Sequence, residues 1–275
     1  MTRILVPVDF SKASVNAAEY AMNMASSLEK AELILFHVYA PSGIGSDGSP
    51  SNAAEGEKSR ENAAQLLEEL QVRLFEIAPV PTDFRYGDGE FLEGMHSLLQ
   101  KESFDWIVMG LAPASGIEER LVGSSVFDVI DKHNLPVVIV GEEMTFKPIQ
   151  KMALAVELSK VHEVVPYGRI KMMLDYFNPE LHIVYANDED TAVLSEAQLE
   201  EKQKLVKMFE ANNPTFTQLH IYNFVDSINK FVHQQNIDLM IVMPRKLSLW
   251  QKLFGYSHTR KLAYHGIAPV MAIHD

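Results

Sequence analysis

Short apolar runs alternate with longer amphipathic stretches through the first half of the chain. Residues 3–8 form a run of buried-strand type. Ser11 is placed to cap a helix reaching about residue 28, whose apolar side carries Val15, Ala18, residues 20–22, Ala25 and Leu28. Residues 33–39 are crowded with β-favouring side chains and predict a second strand, after which residues 40–54 shift to Gly, Ser and Pro and predict a surface loop. A helix over residues 57–76 has Ala64, Leu67, Leu70, Leu74 and Phe75 at core spacing. A short strand over 82–86 and a helix over 90–101 follow. Residues 106–109 then form an apolar strand ending at Gly110, and a loop of small and polar residues leads to a helix over 126–133 and a strand over 137–140. Five strands alternating with four helices predict a parallel sheet covered on both faces.

After Gly141 a short linker carries Glu142, Glu143, Thr145, Lys147 and Pro148, and then the pattern restarts. Residues 4–11 recur as 152–159 at an offset of 148, and Val38-Tyr39-Ala40 recurs as Val184-Tyr185-Ala186 at 146. Val108-Met109 recurs as Val242-Met243 at 134, and Pro136-Val137 as Pro269-Val270 at 133. Four matches in one order indicate a duplicated unit. The expected architecture is α/β: two tandem doubly wound parallel five-stranded sheets of order 3-2-1-4-5, flanked by helices, over residues 1–143 and 149–275. A length of 275 residues, 47% of them hydrophobic, suits two such cores.

Composition narrows the partners. The absence of Cys excludes disulfides and thiolate metal sites. The first apolar run is too short for a signal segment and no run approaches a membrane span, so a cytoplasmic protein without a membrane partner is expected. A net charge of −13 argues against nucleic acid, which needs a basic face, but leaves room for a small anion that responds to local N–H groups.

In a sheet of order 3-2-1-4-5 the strand order reverses between strands 1 and 4, and the loops leaving their C-terminal ends border a crevice. Here those loops are Pro7-Val8-Asp9-Phe10 and residues 110–125, with strand 2 ending alongside at Val38. One rim offers a carboxylate for ribose hydroxyls or Mg²⁺. The other offers glycines and serines at a helix N-terminus, where a phosphate fits. Each feature also has a plain reading: Ser124 or Ser125 as an ordinary N-cap, and Asp9 as a helix-start residue favoured by the dipole.

The repeated unit, with ILVPVDFS at its start and G-x2-P-x9-G-S before the last helix, resembles the universal stress protein family in its tandem form. The resemblance implies an adenine nucleotide-binding stress-response protein, often dimeric, that binds ATP rather than turning it over. Carried over by position, it implies Asp9 as the ribose or Mg²⁺ contact and Pro7 and Val38 as contacts on the adenine side, with Val8, next to Pro7, counted among the nucleotide-binding positions. Met109 and Gly110 match the strand-4 contacts, and Gly123, Ser124 and Ser125 the phosphate positions. ATP-binding members place Gly where Pro113 stands, and Pro has no N–H to give a phosphate. Arg120 either compensates as a charged contact or is a solvated loop residue.

The second copy departs further. Ala155 replaces Pro7, Glu157 replaces Asp9, Pro244 stands where Gly110 did, and residues 255–259 contain no Gly-Ser pair. This half is expected not to bind ATP and to be structural or partner-facing. Trp250, Leu253 and Phe254 recur at helical spacing there, either filling the vacated crevice or forming an apolar lid for a partner. The helix over residues 195–210 reads as a solvated face of i, i+4 pairs.

Other chemistry is thin. The ten His form no metal pattern, His37 and His133 read as structural, and neither a nucleophile elbow nor a Walker motif is present. Three functions therefore remain open: a nucleotide-binding regulator, a nucleotide-free interaction scaffold, and a slow Mg²⁺-dependent ATPase. Duplication further suggests an intramolecular pseudo-dimer of the two halves, with a homodimer of whole chains as a further candidate.

Overall fold

The computed structural model describes residues 1–39, 53–112, 124–186, 193–219, 224–244 and 267–273. The chain divides into two compact units, Met1–Phe146 and Lys147–Asp275. In the first, β1 (Thr2–Pro7), α1 (Lys12–Ser26), β2 (Ala31–Tyr39), α2 (Ala53–Ile77), β3 (Thr82–Asp88), α3 (Phe91–Lys101), β4 (Trp106–Leu111), α4 (Ser124–Lys132) and β5 (Val137–Gly141) follow in order. The sheet runs β3-β2-β1-β4-β5 with every neighbouring pair parallel. Helices α1 and α2 pack on each other and on one face, whereas α3 and α4 pack together against β3 and β4 on the other. A strand covered on both sides has no polar face to show water, and Ile4, Leu5, Val6, Trp106, Ile107 and Val108 are all fully buried.

The second unit repeats the plan with β6 (Lys151–Val156), α5 (Val161–Val164), α6 (Tyr167–Phe177), β7 (Glu180–Ala186), α7 (Glu196–Met208), β8 (Thr215–Leu219), α8 (Phe224–Gln235), β9 (Leu239–Val242) and β10 (Val270–Ala272). Its order, β8-β7-β6-β9-β10, is again 3-2-1-4-5 in parallel. The same backbone tie opens both sheets. Asp105 Oδ2 accepts the Arg3 N–H at 2.7 Å, and Asp238 Oδ2 accepts the Lys151 N–H at 2.9 Å. No helix among the described residues is long and apolar enough to cross a membrane.

Strand register corrects two of the repeat matches. Ile4 pairs with Leu33 and Trp106, and Met152 pairs with Leu181 and Leu239, so the offset is 148 through β2 and β7 but 133 at β4 and β9. Val38 therefore corresponds to Ala186, not Val184, and Gly110 to Met243, not Pro244. Apolar β-type dipeptides are interchangeable enough to match a register or two out, whereas ladder hydrogen bonds are not.

Two helices also differ from expectation. Helix α2 starts at Ala53, and its buried stripe is Ala63, Leu67, Leu70 and Leu74, while Phe75 is 65% exposed. One residue past Leu74 is about 100° around the helix, which carries Phe75 off the stripe. On α7, the expected solvated face is partly engaged, since Lys202 lies over the rings of Tyr185 and Phe216.

Candidate functional site

Chain direction reverses over Val8 to Ser11, and hydrogen bonds fix each step. Pro7 and Val8 are buried at the end of β1, and the Val8 N–H donates to Phe36 O at 2.8 Å. Asp9 is exposed, with Oδ1 accepting the Ser11 N–H at 3.0 Å and its own N–H donating to Ser14 Oγ at 3.3 Å. Desolvation pushes the Asp9 carboxyl up, but hydrogen bonds from Ser11 and Ser14 outweigh it and hold the group below its ordinary value. Asp9 is therefore ionised at neutral pH. Phe10 sits at φ +63°, a left-handed conformation that ordinary side chains avoid, and Ser11 Oγ caps α1 by accepting the Ser14 N–H.

Across the switch point, β1 and β4 are direct neighbours through Ile4–Trp106 and Leu5–Ile107. Met109 is buried on β4 beside Ile139. Gly110 has a packing reason: a Cβ there would run into the carbonyl group of Ala13 and come within 2.8 Å of Ser14 N. The absent side chain lets the first turn of α1 lie directly on the end of β4. Asn16 locks that turn, its Nδ2 donating to Gly141 O and Met144 O at 2.9 Å each, and Lys12 is drawn to Glu142 at 3.0 Å. These locks were not foreseen, because nothing in the spacing of Asn16 and Met144 marks them as partners.

Ser124 opens α4, with exposed Ser125 next to it. Pro113, Arg120 and Gly123 lie outside the described residues, as do Trp250, Leu253 and Phe254. Val38 lies at the end of β2, and its Cγ2 is directed at Gly87 and at Gly94 of α3. His37, on the opposite face, bonds through Nδ1 to Val8 O at 2.7 Å, and its ring meets Phe10 at a 46° tilt with centroids 4.7 Å apart. A carbonyl only accepts, so His37 Nδ1 carries the proton. Among the described residues no three His, Asp or Glu side chains gather as a metal site.

In the second unit the same corner is built differently. Met243 takes the place of Gly110, and the helix after β6 is broken into α5 and α6 at Val165-Pro166. Pro166 lacks the N–H to continue a helix, and Val165 before it is extended at ψ 113°. Glu201 of α7 accepts the Val161 N–H at 2.7 Å, so an internal carboxylate meets the start of α5.

The sequence profile of the universal stress protein family matches residues 1–141. The chain belongs to the universal stress protein family. A universal stress protein of Methanocaldococcus jannaschii is 31% identical over 145 residues, spanning 50% of this chain and 81% of that relative. The solved universal stress protein of Archaeoglobus fulgidus has a TM-score of 0.74 at 18% identity, covering 99% of this chain and 98% of its own. A Pseudomonas aeruginosa protein of unknown function has a TM-score of 0.60 at 12% identity, covering 100% and 92%. The last two likenesses establish fold alone, and they extend over both units of this universal stress protein.

Proposed function

We propose that this universal stress protein binds one adenine nucleotide, ATP foremost, in its N-terminal unit and uses it as a regulatory ligand in the stress response. The observation that carries the reading is the switch point itself. An ionised, exposed carboxylate follows the end of β1, β1 pairs with β4 across the switch point, and the chain after β4 leads to the serine-bearing N-terminus of α4. Asp9 would accept ribose hydroxyls or meet phosphate-bound Mg²⁺, and Ser124 and Ser125 would donate to phosphate. The C-terminal unit, with Glu157 and Met243 at the matching positions, is structural or partner-facing in this reading.

The competing reading, a nucleotide-free scaffold, draws on the fact that Asp9 and Gly110 both have reasons without a ligand. Mass spectrometry of small molecules released from the full-length chain, followed by calorimetric titration with ATP, separates the two. The expected result is one nucleotide per chain, with Asp9→Ala weakening binding about tenfold through loss of a charged hydrogen bond. Two per chain would restore a site to the C-terminal unit, and no binding leaves the scaffold. Phosphate release abolished by Asp9→Ala would promote a slow Mg²⁺-dependent ATPase instead.

A further inference from the structure

The strands β3 and β8 each end the sheet of their unit, and the two edges differ in character. The Leu33 N–H donates to Pro81 O at 2.9 Å, so Asp83 and Arg85 also turn their main chain toward β2, while Thr82 and Phe84 turn theirs outward. Side chains close that opening. The Thr82 C=O accepts from Gln71, and the Phe84 N–H donates to Asp83 Oδ1 at 2.8 Å. The Phe84 C=O accepts from Arg85 at 3.0 Å, and Arg85 is paired in turn with Asp83 and Glu102 at 2.6 Å each. Charges and occupied backbone groups along an edge deter pairing with a further strand.

Register places Thr215, Phe216 and Thr217 of β8 where Asp83, Phe84 and Arg85 stand in β3. β8 reads Thr-Phe-Thr-Gln-Leu, rich in β-favouring residues and without a charge, so it carries neither the carboxylate nor the guanidinium that locks β3. The neighbouring helix α7 is apolar on the same side. Its Glu201 faces α5 through the Val161 N–H, and Lys202 Nζ lies 5.2 Å from the ring centroid of Phe216. Counted at about 100° per residue from Glu201, Lys202 stands at about 100°, Val206 at about 140° and Leu199 at about 160°. The rotation that leads from α5 to Phe216 thus continues outward, past β8, to Val206 and Leu199. These two apolar side chains are left 43% and 46% exposed.

We propose that this α7–β8 edge docks a second copy of the chain, β8 pairing antiparallel with its counterpart about a twofold axis at Thr217. The edge is self-complementary about that axis. Phe216 lies opposite the partner's Gln218 and Thr217 opposite the partner's Thr217, with no charges facing one another in the ladder. On α7 the axis falls between Lys202 and Gln203, level with Phe216, which Lys202 overlies. Leu199 then meets the partner's Val206, and exposed Glu196 at one end of the helix meets the partner's exposed Lys207 near the other. A parallel arrangement would lose that match of charge. Because β3 is locked, β8 has its own kind to pair with, and an isologous contact closes as a dimer instead of growing into a fibre. This inference is independent of the nucleotide reading.

Sedimentation equilibrium on the full-length chain tests this, with wild type expected to be a dimer at micromolar concentration. Leu199→Glu combined with Val206→Glu, and separately Thr217→Lys, put like charges on facing positions and should each raise the dimer dissociation constant at least about tenfold. The Leu199 and Val206 variant carries the test if Thr217→Lys fails to fold, since both positions are exposed in the single chain. Glu196→Lys should weaken the dimer, and adding Lys207→Glu should restore it, a rescue that loss of folding cannot imitate. Phe75→Glu, on the exposed side of α2, should leave the dimer unchanged. A monomeric wild type, a dimer that survives either charge-introducing variant, or association beyond the dimer would overturn the proposal.

Discussion

Gly110→Ala is expected to destabilise the N-terminal unit by about 3 kcal/mol or more, read as a lower urea midpoint at unchanged slope. Gly110 is not in the left-handed region, so the usual effect of adding a Cβ would be a gain of about 0.4–1 kcal/mol from a stiffer unfolded chain. Packing reverses that sign. The new methyl group would overlap the carbonyl of Ala13 and approach Ser14 N, which are backbone atoms that cannot rotate aside. Helix α1 cannot lift freely either, because Asn16 ties it to Gly141 O and Met144 O. Lifting it would uncover Ala13 and Ala17, now 3% and 0% exposed, and would carry the Asp9 turn with it. Under the proposed function, ATP affinity should therefore fall together with stability. Gly168→Ala is the control of opposite sign: no atom lies within 4 Å of a Cβ there, and in α6 the change should stabilise by about 0.5–1 kcal/mol. A Gly110→Ala chain within about 0.5 kcal/mol of wild type would remove the packing argument.

Such a glycine shows what a sequence discloses and what it withholds. The elements were legible because burial on both faces forces continuous apolar strands, and the duplicated pattern repeats them in order. Ser11 as the cap of α1 was legible because capping is a local event. The glycine after β4 was visible too, but not its purpose: a ligand and a helix backbone ask for the same missing Cβ. Only the packing of α1 on β4 distinguishes them. Positions Val38 and Gly110 were paired with the wrong residues of the second copy because local similarity ignores ladder register. Phe10 gave no signal at all, since its side chain is unremarked in a turn and its strain belongs to the backbone.

The corrected register also ties two features of the second unit together. A methionine at the glycine position denies the helix after β6 the close approach that α1 makes to β4, and that helix is the one broken at Pro166. Neither α5 nor α6 packs on β9 as α1 packs on β4. A substitution at one strand end thus goes with a rebuilt helix start, and the carboxylate of Glu201 answers the Val161 N–H there.

Acidification from pH 7 to pH 5 should destabilise the protein, with His182 as the main source. His182 is 7% exposed, its Nδ1 is 2.9 Å from Thr215 Oγ1, and its Nε2 is buried without a hydrogen-bond partner. Burial pushes its pKa below the ordinary value; Lys151 adds to the shift and Glu180, at 3.9 Å, opposes it. His133 moves the same way through burial and the charges of His96 and Lys132. In both cases the fold favours the neutral ring, while the unfolded chain takes its proton near pH 6.5. Between the depressed folded pKa and 6.5 the unfolded state holds more protons, so stability rises with pH and is lost as pH falls. Each histidine contributes at most about 1.4 kcal/mol per pH unit, and the more exposed His133 contributes less because water screens it. Asp9, Asp83, Glu102 and Glu201 are all held low, so the stability they confer is lost only in more acid solution and the pH 5–7 window isolates the histidines. His182→Phe keeps a ring against Phe231 and should flatten the slope over that window, even if losing the partner of Thr215 lowers stability at every pH. Urea midpoints measured at intervals between pH 5 and 7 decide the matter: a flat wild-type profile, or a His182→Phe profile just as steep, would show that the proton goes elsewhere.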